Sequence, residues 1–449
     1  MQNNTEKLTH MYRSTSTPAD DNGCGWFHLS RARAPRPSHS GTSTARWVVL
    51  GAGFTGLAAA RQLALRYPSD EIILVEAQEV GFGASGRNSG FAIDLPHDIG
   101  AHDYIGPLPT ARMNLKLNLR AQEILTQQIK DHGIDCQLRP DGKYQAAVES
   151  KGLSVLEAYR SGLEKLGQPY EMIEGHDLPD HLGTSFYKKA LYTPGTMLLQ
   201  PAALAKGLAD SLPSNVSLYE HTVITAIEQG EHIVLKHANG KIIADQLLLT
   251  NNAFASHFGF LPGKLLPIFT YASMTRPLTE DEQHQLGGKA TWGVIPADPF
   301  GSTLRRTPDQ RLLVRNSFSF NADGRAHQRY LDRAGRQHRA SFERRFPMLS
   351  GMPFDYTWGG SMCLSRNHMS HFGSLAPNIH AALCCNGLGI TRGTITGTLL
   401  ANWLAGERDE LIDFLLNAEG PNRNPPEPFL SLGVNLNLRW GQHRAGVES

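Results

Sequence analysis

The chain has 449 residues, 40% hydrophobic and 19% charged, and its 43 Lys and Arg balance 42 Asp and Glu. That is the composition of a soluble globular protein of two or three domains. It excludes a collagen, a coiled coil or a disulfide miniprotein and offers no bulk charge to attract nucleic acid. No apolar run reaches the ~18 residues of a membrane span, and the scattered Cys24, Cys136, Cys363, Cys384 and Cys385 read as reduced thiols, placing the protein in the cytoplasm.

Residues 1–44 are rich in Ser, Thr, Asn, Pro and Arg and read as a disordered or loosely docked arm, with Trp26 and Phe27 its anchor. The texture changes at Arg46. The run WVVL (47–50) predicts a buried strand, LAAARQLALRY (57–67) a helix, and EIILVE (71–76) a second strand, which together make a right-handed parallel β–α–β unit. Residues 110–132 and 151–167 carry Leu, Ile and Ala at helical spacing. The segments 221–230, 231–240 and 241–250 read as strands, and 268–278, 291–296 and 311–320 as strands of another sheet. Residues 329–346 predict a helix with Leu331, Ala334, Phe342 and Phe346 inward and arginines in solvent. Residues 381–406 read as strand, Gly-rich turn and helix, and the Pro- and Asn-rich tail from Pro421 is expected to wrap over the surface.

Between the first strand and helix stands Gly51-Ala52-Gly53-Phe54-Thr55-Gly56, a G-x-G-x-x-G turn. Gly51 makes the bend, Gly53 admits a pyrophosphate to the backbone, and Gly56 lets helix and strand approach. The helix N-terminus supplies N–H groups to the phosphates. Glu76 and Ala77 end the second strand, where a carboxylate takes ribose hydroxyls. A second small-residue cluster, GFGASGRNSGF (81–91), and a late turn, Asn386-Gly387-Leu388-Gly389-Ile390-Thr391, suit a cofactor that extends past its pyrophosphate. The late helix N-terminus faces the pyrimidine end of a flavin, where negative charge develops on reduction. The cofactor is read as FAD.

These blocks (51–64, 80–91 and 385–406) resemble the D-amino-acid oxidase and glycine oxidase family of FAD enzymes. The GASGRN block and Trp358-Gly359-Gly360 are most similar to its γ-glutamylputrescine oxidase branch. The resemblance implies an α/β fold with a Rossmann-like, discontinuous FAD-binding domain (45–100, 200–260 and 361–420). An inserted antiparallel-sheet substrate domain (101–199 and 261–360) and a C-terminal tail (421–449) complete the implied layout. It also implies that Gly51, Gly53, Phe54, Thr55, Gly56, Glu76 and Ala77 hold the ADP half. By the same resemblance Ser85, Gly86, Arg87, Asn88 and Gly90 line the passage to the flavin, Val223 and Asn251 adjoin the nucleotide, and Gly387, Gly389, Ile390 and Thr391 cup the pyrimidine. Asn367 and Ser370 stand where relatives carry Asp and Pro. Cys363 is out of register with the cysteine that binds flavin covalently in some relatives, so non-covalent FAD is expected.

The implied reaction is oxidation of an amine C–N bond to an imine and its hydrolysis, with O2 or another electron acceptor. The substrate expected is a small-molecule amine, a γ-glutamylated or free polyamine. The alternatives are an amino-acid or N-methyl amino-acid oxidase or dehydrogenase, and a flavoprotein subunit of an electron-transfer assembly. Such chemistry needs a positioned C–H and a neutral amine rather than a metal, and His368 and His371 have no third ligand type nearby. On the substrate side, Asp94 and His97 are candidates to hold or deprotonate the amine, Tyr271 to wall the pocket, and Arg315 to bind a carboxylate.

Overall fold

The computed structural model of the protein describes residues 10–98 and 100–449. The WVVL run closes a ten-residue strand, Gly41–Leu50, and its side chains alternate between two cores as a period of two requires. Trp47 and Val49 pack on one face with the helices Phe54–Arg66 and Gly389–Leu404; Val48 and Leu50 pack on the other with Ile227, Leu235 and Ile242. Gly41–Leu50 runs parallel to Ile72–Val75 on one side and to Gly240–Leu249 on the other. The first sheet has nine strands; Val216–Tyr219 extends it beyond Ile72–Val75, and Ile379–Leu383 pairs parallel with the end of Gly240–Leu249. Helices Phe54–Arg66 and Gly389–Leu404 touch at their backbones, since a Cβ on Gly397 would lie 2.1 Å from the Thr55 carbonyl oxygen.

The second sheet has eight strands, in the order Phe354–Leu364, Leu266–Thr275, Leu312–Phe320, Thr303–Arg306, Trp292–Pro296, Lys143–Ala147, Lys189–Thr193 and Glu171–Glu174. Every pairing in it is antiparallel except that of Trp292–Pro296 with Lys143–Ala147, so the antiparallel expectation is corrected at that one pair. The helix Gln328–Arg345 covers one side and buries Leu331, Ala334 and Phe342 there, as its periodicity predicts. Among the described residues no helix is long and apolar enough to cross a membrane.

Two terminal segments differ from their reading. The described part of the arm is docked rather than loose: His10–Arg13 adds an edge strand to the first sheet, and Trp26 is 2% exposed against Met274, Leu313 and Trp358. Arg33 pairs with the fully buried Glu220, and Asp21 with Arg87. Local composition misses this because the arm is held by ion pairs and ladder bonds to residues far along the chain. The tail crosses the surface only to Pro428; Phe429–Arg444 is then a helix, and beyond it the Glu448 carboxylate accepts from the backbone N–H of Val148 and Glu149 at 2.6 and 2.8 Å.

Candidate functional site

The turn after Gly41–Leu50 opens a cleft of about 230 Å³. Gly51 holds φ +105°, a conformation that favours glycine, and donates its N–H to the Val75 carbonyl. A Cβ on Gly56 would sit 1.8 Å from the Gly51 carbonyl oxygen, so this glycine serves the strand–helix contact behind the cleft. Gly53 starts the helix facing Ser85, whose Oγ accepts from the Phe54 N–H at 3.0 Å. The Glu76 carboxylate accepts from Ala52 N (2.8 Å) through Oε2 and from Gln78 N (3.0 Å) through Oε1. Burial pushes its pKa up while these bonds pull it down, and each oxygen keeps a lone pair for a hydroxyl.

An FAD fits these residues. The cleft is lined by Gly51, Gly53, Phe54, Thr55, Glu76, Ala77, Ser85, Asn88, Val223, Asn251, Gly387 and Gly389, drawn from separate segments of the chain. Asn251 has a buried Oδ1 without a partner, a polar atom that a bound nucleotide would satisfy. A Cβ on Gly387 or Gly389 would meet nothing within 4 Å, so the start of the Gly389–Leu404 helix faces free space. Cys363 also lines the cleft, but its hydrogen bond with Cys384 and its burial push its thiol far up, which keeps the thiolate scarce.

Asn88, Met362, Gly387 and Gly389 also line a second, larger cavity of about 710 Å³, so the cleft continues into it. The second sheet provides one wall through Ile268, Tyr271, Arg315 and Phe318. His97 and Tyr104 stand on another side, and Leu430, Val434 and Leu438 of the C-terminal helix form the roof. None of the described lining residues is Asp or Glu. Arg315 reaches only Thr303 Oγ1 (3.5 Å) and Met362 Sδ (3.4 Å), with its guanidinium 5.3 Å from the Phe318 ring centroid. Burial lowers its pKa to about 10, so it is charged at neutral pH and has no anion among the described residues to pair with. Burial, then the charges of Lys143 and Arg315, push His97 down to about 3, so its ring is neutral.

The remaining predicted residues divide by what they touch. Asp94 does not line the cavity: its Oδ1 accepts from Thr196 Oγ1 at 2.8 Å, and its charge supports the fully buried Lys143 behind the wall. Proximity in sequence placed Asp94 beside His97, but the chain turns the two side chains to different surroundings. Tyr271 contributes its ring to the wall, while its hydroxyl is held by Ser319 Oγ at 2.7 Å. Arg87 lines the cavity, yet its guanidinium is committed to Asp21, the Phe82 carbonyl and the Gly359 carbonyl. Gly86 and Gly90 serve packing, since a Cβ there would lie 1.8 Å from the Gly81 oxygen and 2.1 Å from that of Leu199. Ile390 lines the cavity; Thr391 is buried with its Oγ1 unpartnered.

Sequence reasoning missed Tyr104, Lys143 and the roof. The roof had a signal, Leu430, Val434 and Leu438 at i, i+4 and i+8, obscured by the Pro-rich lead before it.

Residues 46–403 match the family described as DAO, FAD dependent oxidoreductase. Gamma-glutamylputrescine oxidoreductase of Escherichia coli (strain K12) is 29% identical over 394 residues, covering 86% of this chain and 90% of that protein. Glycine oxidase from Geobacillus kaustophilus superposes with a TM-score of 0.68 at 18% identity, over 86% of this chain and all (100%) of that one. Iminodiacetate oxidase from Chelativorans sp. BNC1 gives 0.66 at 16%, over 85% of this chain and 100% of that one.

Proposed function

The chain belongs to the DAO family of FAD-dependent oxidoreductases, and within it we propose that this protein oxidises the C–N bond of an amine that also carries a carboxylate. The observation that carries this reading is Arg315, a half-buried guanidinium in the cavity wall without an acidic partner among the described residues. A buried cation is costly unless paired, and a substrate carboxylate supplies the missing partner in a charge-assisted pair. A free polyamine brings two or more positive charges to a cavity that already holds Arg315 and has no acid among its described lining residues. A γ-glutamylated polyamine brings the carboxylate, and similarity to the Escherichia coli enzyme supports that member of the pair. The apolar roof of Leu430, Val434 and Leu438 favours a second reading, an amino acid or N-alkyl amino acid of compact apolar substituent.

FAD, when bound, supplies the hydride acceptor for the substrate carbon. The protein's own residues position and prepare the substrate. Arg315 anchors the carboxylate and so fixes which carbon faces the flavin side of the cavity. Arg315 and Lys143 disfavour a further positive charge nearby, which drives the substrate ammonium to its neutral, reactive form. A ring held near 3 is a poor proton store, so His97 acts as a neutral hydrogen-bond acceptor for the amine N–H rather than as a general base. The apolar walls limit water around the reacting carbon.

Steady-state turnover of γ-glutamylputrescine, putrescine and the carboxamide of the first compound tests the proposal. The carboxylated amine is expected to exceed both others in kcat/KM by at least ~10-fold, the value of one charged hydrogen bond. Equal turnover of the three contradicts the carboxylate assignment.

A further inference from the structure

The C-terminal helix carries apolar side chains on both faces. Its inner face roofs the cavity. Its outer face bears Leu432, Leu436 and Trp440 at i, i+4 and i+8, and Phe429, at the rim of the cavity, extends them into one ridge; all four are 58–67% exposed. One apolar face suffices to pack a helix on a protein, so the second is surplus to the fold, and a contiguous bare apolar patch marks an interaction surface.

An independent feature lies at the Trp440 end. There the Gln328–Arg345 helix brings Arg333 and Arg344 beside Arg439 and His443, lining a groove that has no Asp or Glu side chain among the described residues. Arg344 also donates to the Ser449 carbonyl at 2.8 Å. Across residues 421–447, Glu427 is the one acid against Arg423, Arg439, Arg444 and His443, and Glu427 is engaged with Ser431.

We propose that this face docks on an anionic lipid surface, with the ridge entering the acyl boundary and the arginines meeting headgroup phosphates. A second copy of the chain would cover the ridge but would bring no acidic patch from this segment to meet the arginines. A polyanion such as RNA would meet the arginines and leave the ridge in water. A lipid surface answers both features, and Leu, Phe and Trp beside basic residues are what an interfacial helix requires.

The test is sedimentation of the FAD-loaded full chain with vesicles of phosphatidylcholine alone or with about one-third phosphatidylglycerol, at low and high salt. Binding to the anionic vesicles, weakened by salt, is the expected result. Leu432→Ser with Leu436→Ser should weaken it at least ~10-fold, and Arg439→Glu with Arg444→Glu at least ~5-fold. None of these four residues lines the cavity, so amine oxidation and FAD content should stay unchanged in solution and report an intact fold. Absence of vesicle binding, or binding insensitive to both pairs of substitutions, overturns the proposal. A dimer in lipid-free solution that the leucine substitutions dissociate assigns the ridge to a second copy instead.

Discussion

Replacing Arg315 by alanine separates two roles that an arginine in a cavity wall can have. If it were structural, its loss would strand a buried partner and lower stability by several kcal/mol, as removal of one member of a buried ion pair does, ~3–5 kcal/mol. Its contacts argue against that outcome: a 3.5 Å approach to Thr303 Oγ1 and a 3.4 Å approach to Met362 Sδ leave no anion among the described residues behind. Arg315→Ala should therefore leave Tm nearly unchanged. The same change should remove the carboxylate anchor, about 1.5–3 kcal/mol, or roughly 10- to 150-fold in kcat/KM. The assay is rapid mixing of the FAD-loaded variant with γ-glutamylputrescine and with its carboxamide, following substrate-dependent loss of flavin absorbance. The carboxylated amine should be slowed by that factor and the carboxamide by less than ~2-fold, within the scatter of a neutral change. Equal slowing of both compounds, or a large fall in Tm with retained carboxylate preference, refutes the role.

Other consequences follow from the same geometry. Gly53→Val should abolish FAD retention, because even a Cβ there lies 2.8 Å from Ser85 Oγ at the mouth of the phosphate turn; a variant purified yellow at one FAD per chain contradicts this. His97 has a folded pKa lowered to about 3 from an ordinary 6.5, so protonation favours the unfolded chain: its contribution to stability is full above 6.5 and is lost as pH falls toward 3. The ring should then cause no limb in kcat/KM between about pH 5 and 8, and a wild-type limb near 6.5 that His97→Gln removes would refute the neutral ring. Arg33→Ala exposes how firmly the arm is docked, since Glu220 would keep only its bonds from Val80 N and Arg36 N. The expected cost is ~3–5 kcal/mol, read by urea denaturation, and an unchanged midpoint contradicts it. Glu448→Ala frees the two N–H groups at Val148 and Glu149 and should hasten proteolysis after the C-terminal helix while raising KM; unchanged cleavage and KM argue against these bonds holding the end of that helix.

What was legible in the sequence was what is local. The strand–turn–helix around Gly51 and the strand that ends before Glu76 are legible because a G-x-G-x-x-G turn compresses its backbone requirements into about thirty residues. Arg315 was readable as a strand arginine, but only the sheet shows that it lines a cavity with no acid among its described lining residues. His97 and Asp94 illustrate the limit: three positions apart, they face the cavity and the interior respectively, which periodicity does not resolve in an irregular loop. The strands Lys143–Ala147 and Lys189–Thr193 lack an alternating pattern because both faces are buried, and Lys143 lies in the interior next to Tyr159. The arm and the C-terminal helix were misread for a common reason. Their places are set by partners far along the chain, Glu220 for Arg33 and Val148 for Glu448, and local composition carries no trace of such pairs.

On the proposed reading, this family member uses its cavity to oxidise a carboxylated amine. Anaerobic mixing of the purified, FAD-loaded wild-type protein with γ-glutamylputrescine, and in parallel with N-methyl and free amino acids, tests it most directly. The expected result is loss of the oxidised flavin absorbance with at least one carboxylated amine and slower or no loss with putrescine. A flavin that putrescine bleaches fastest, or that no carboxylated amine bleaches, contradicts it.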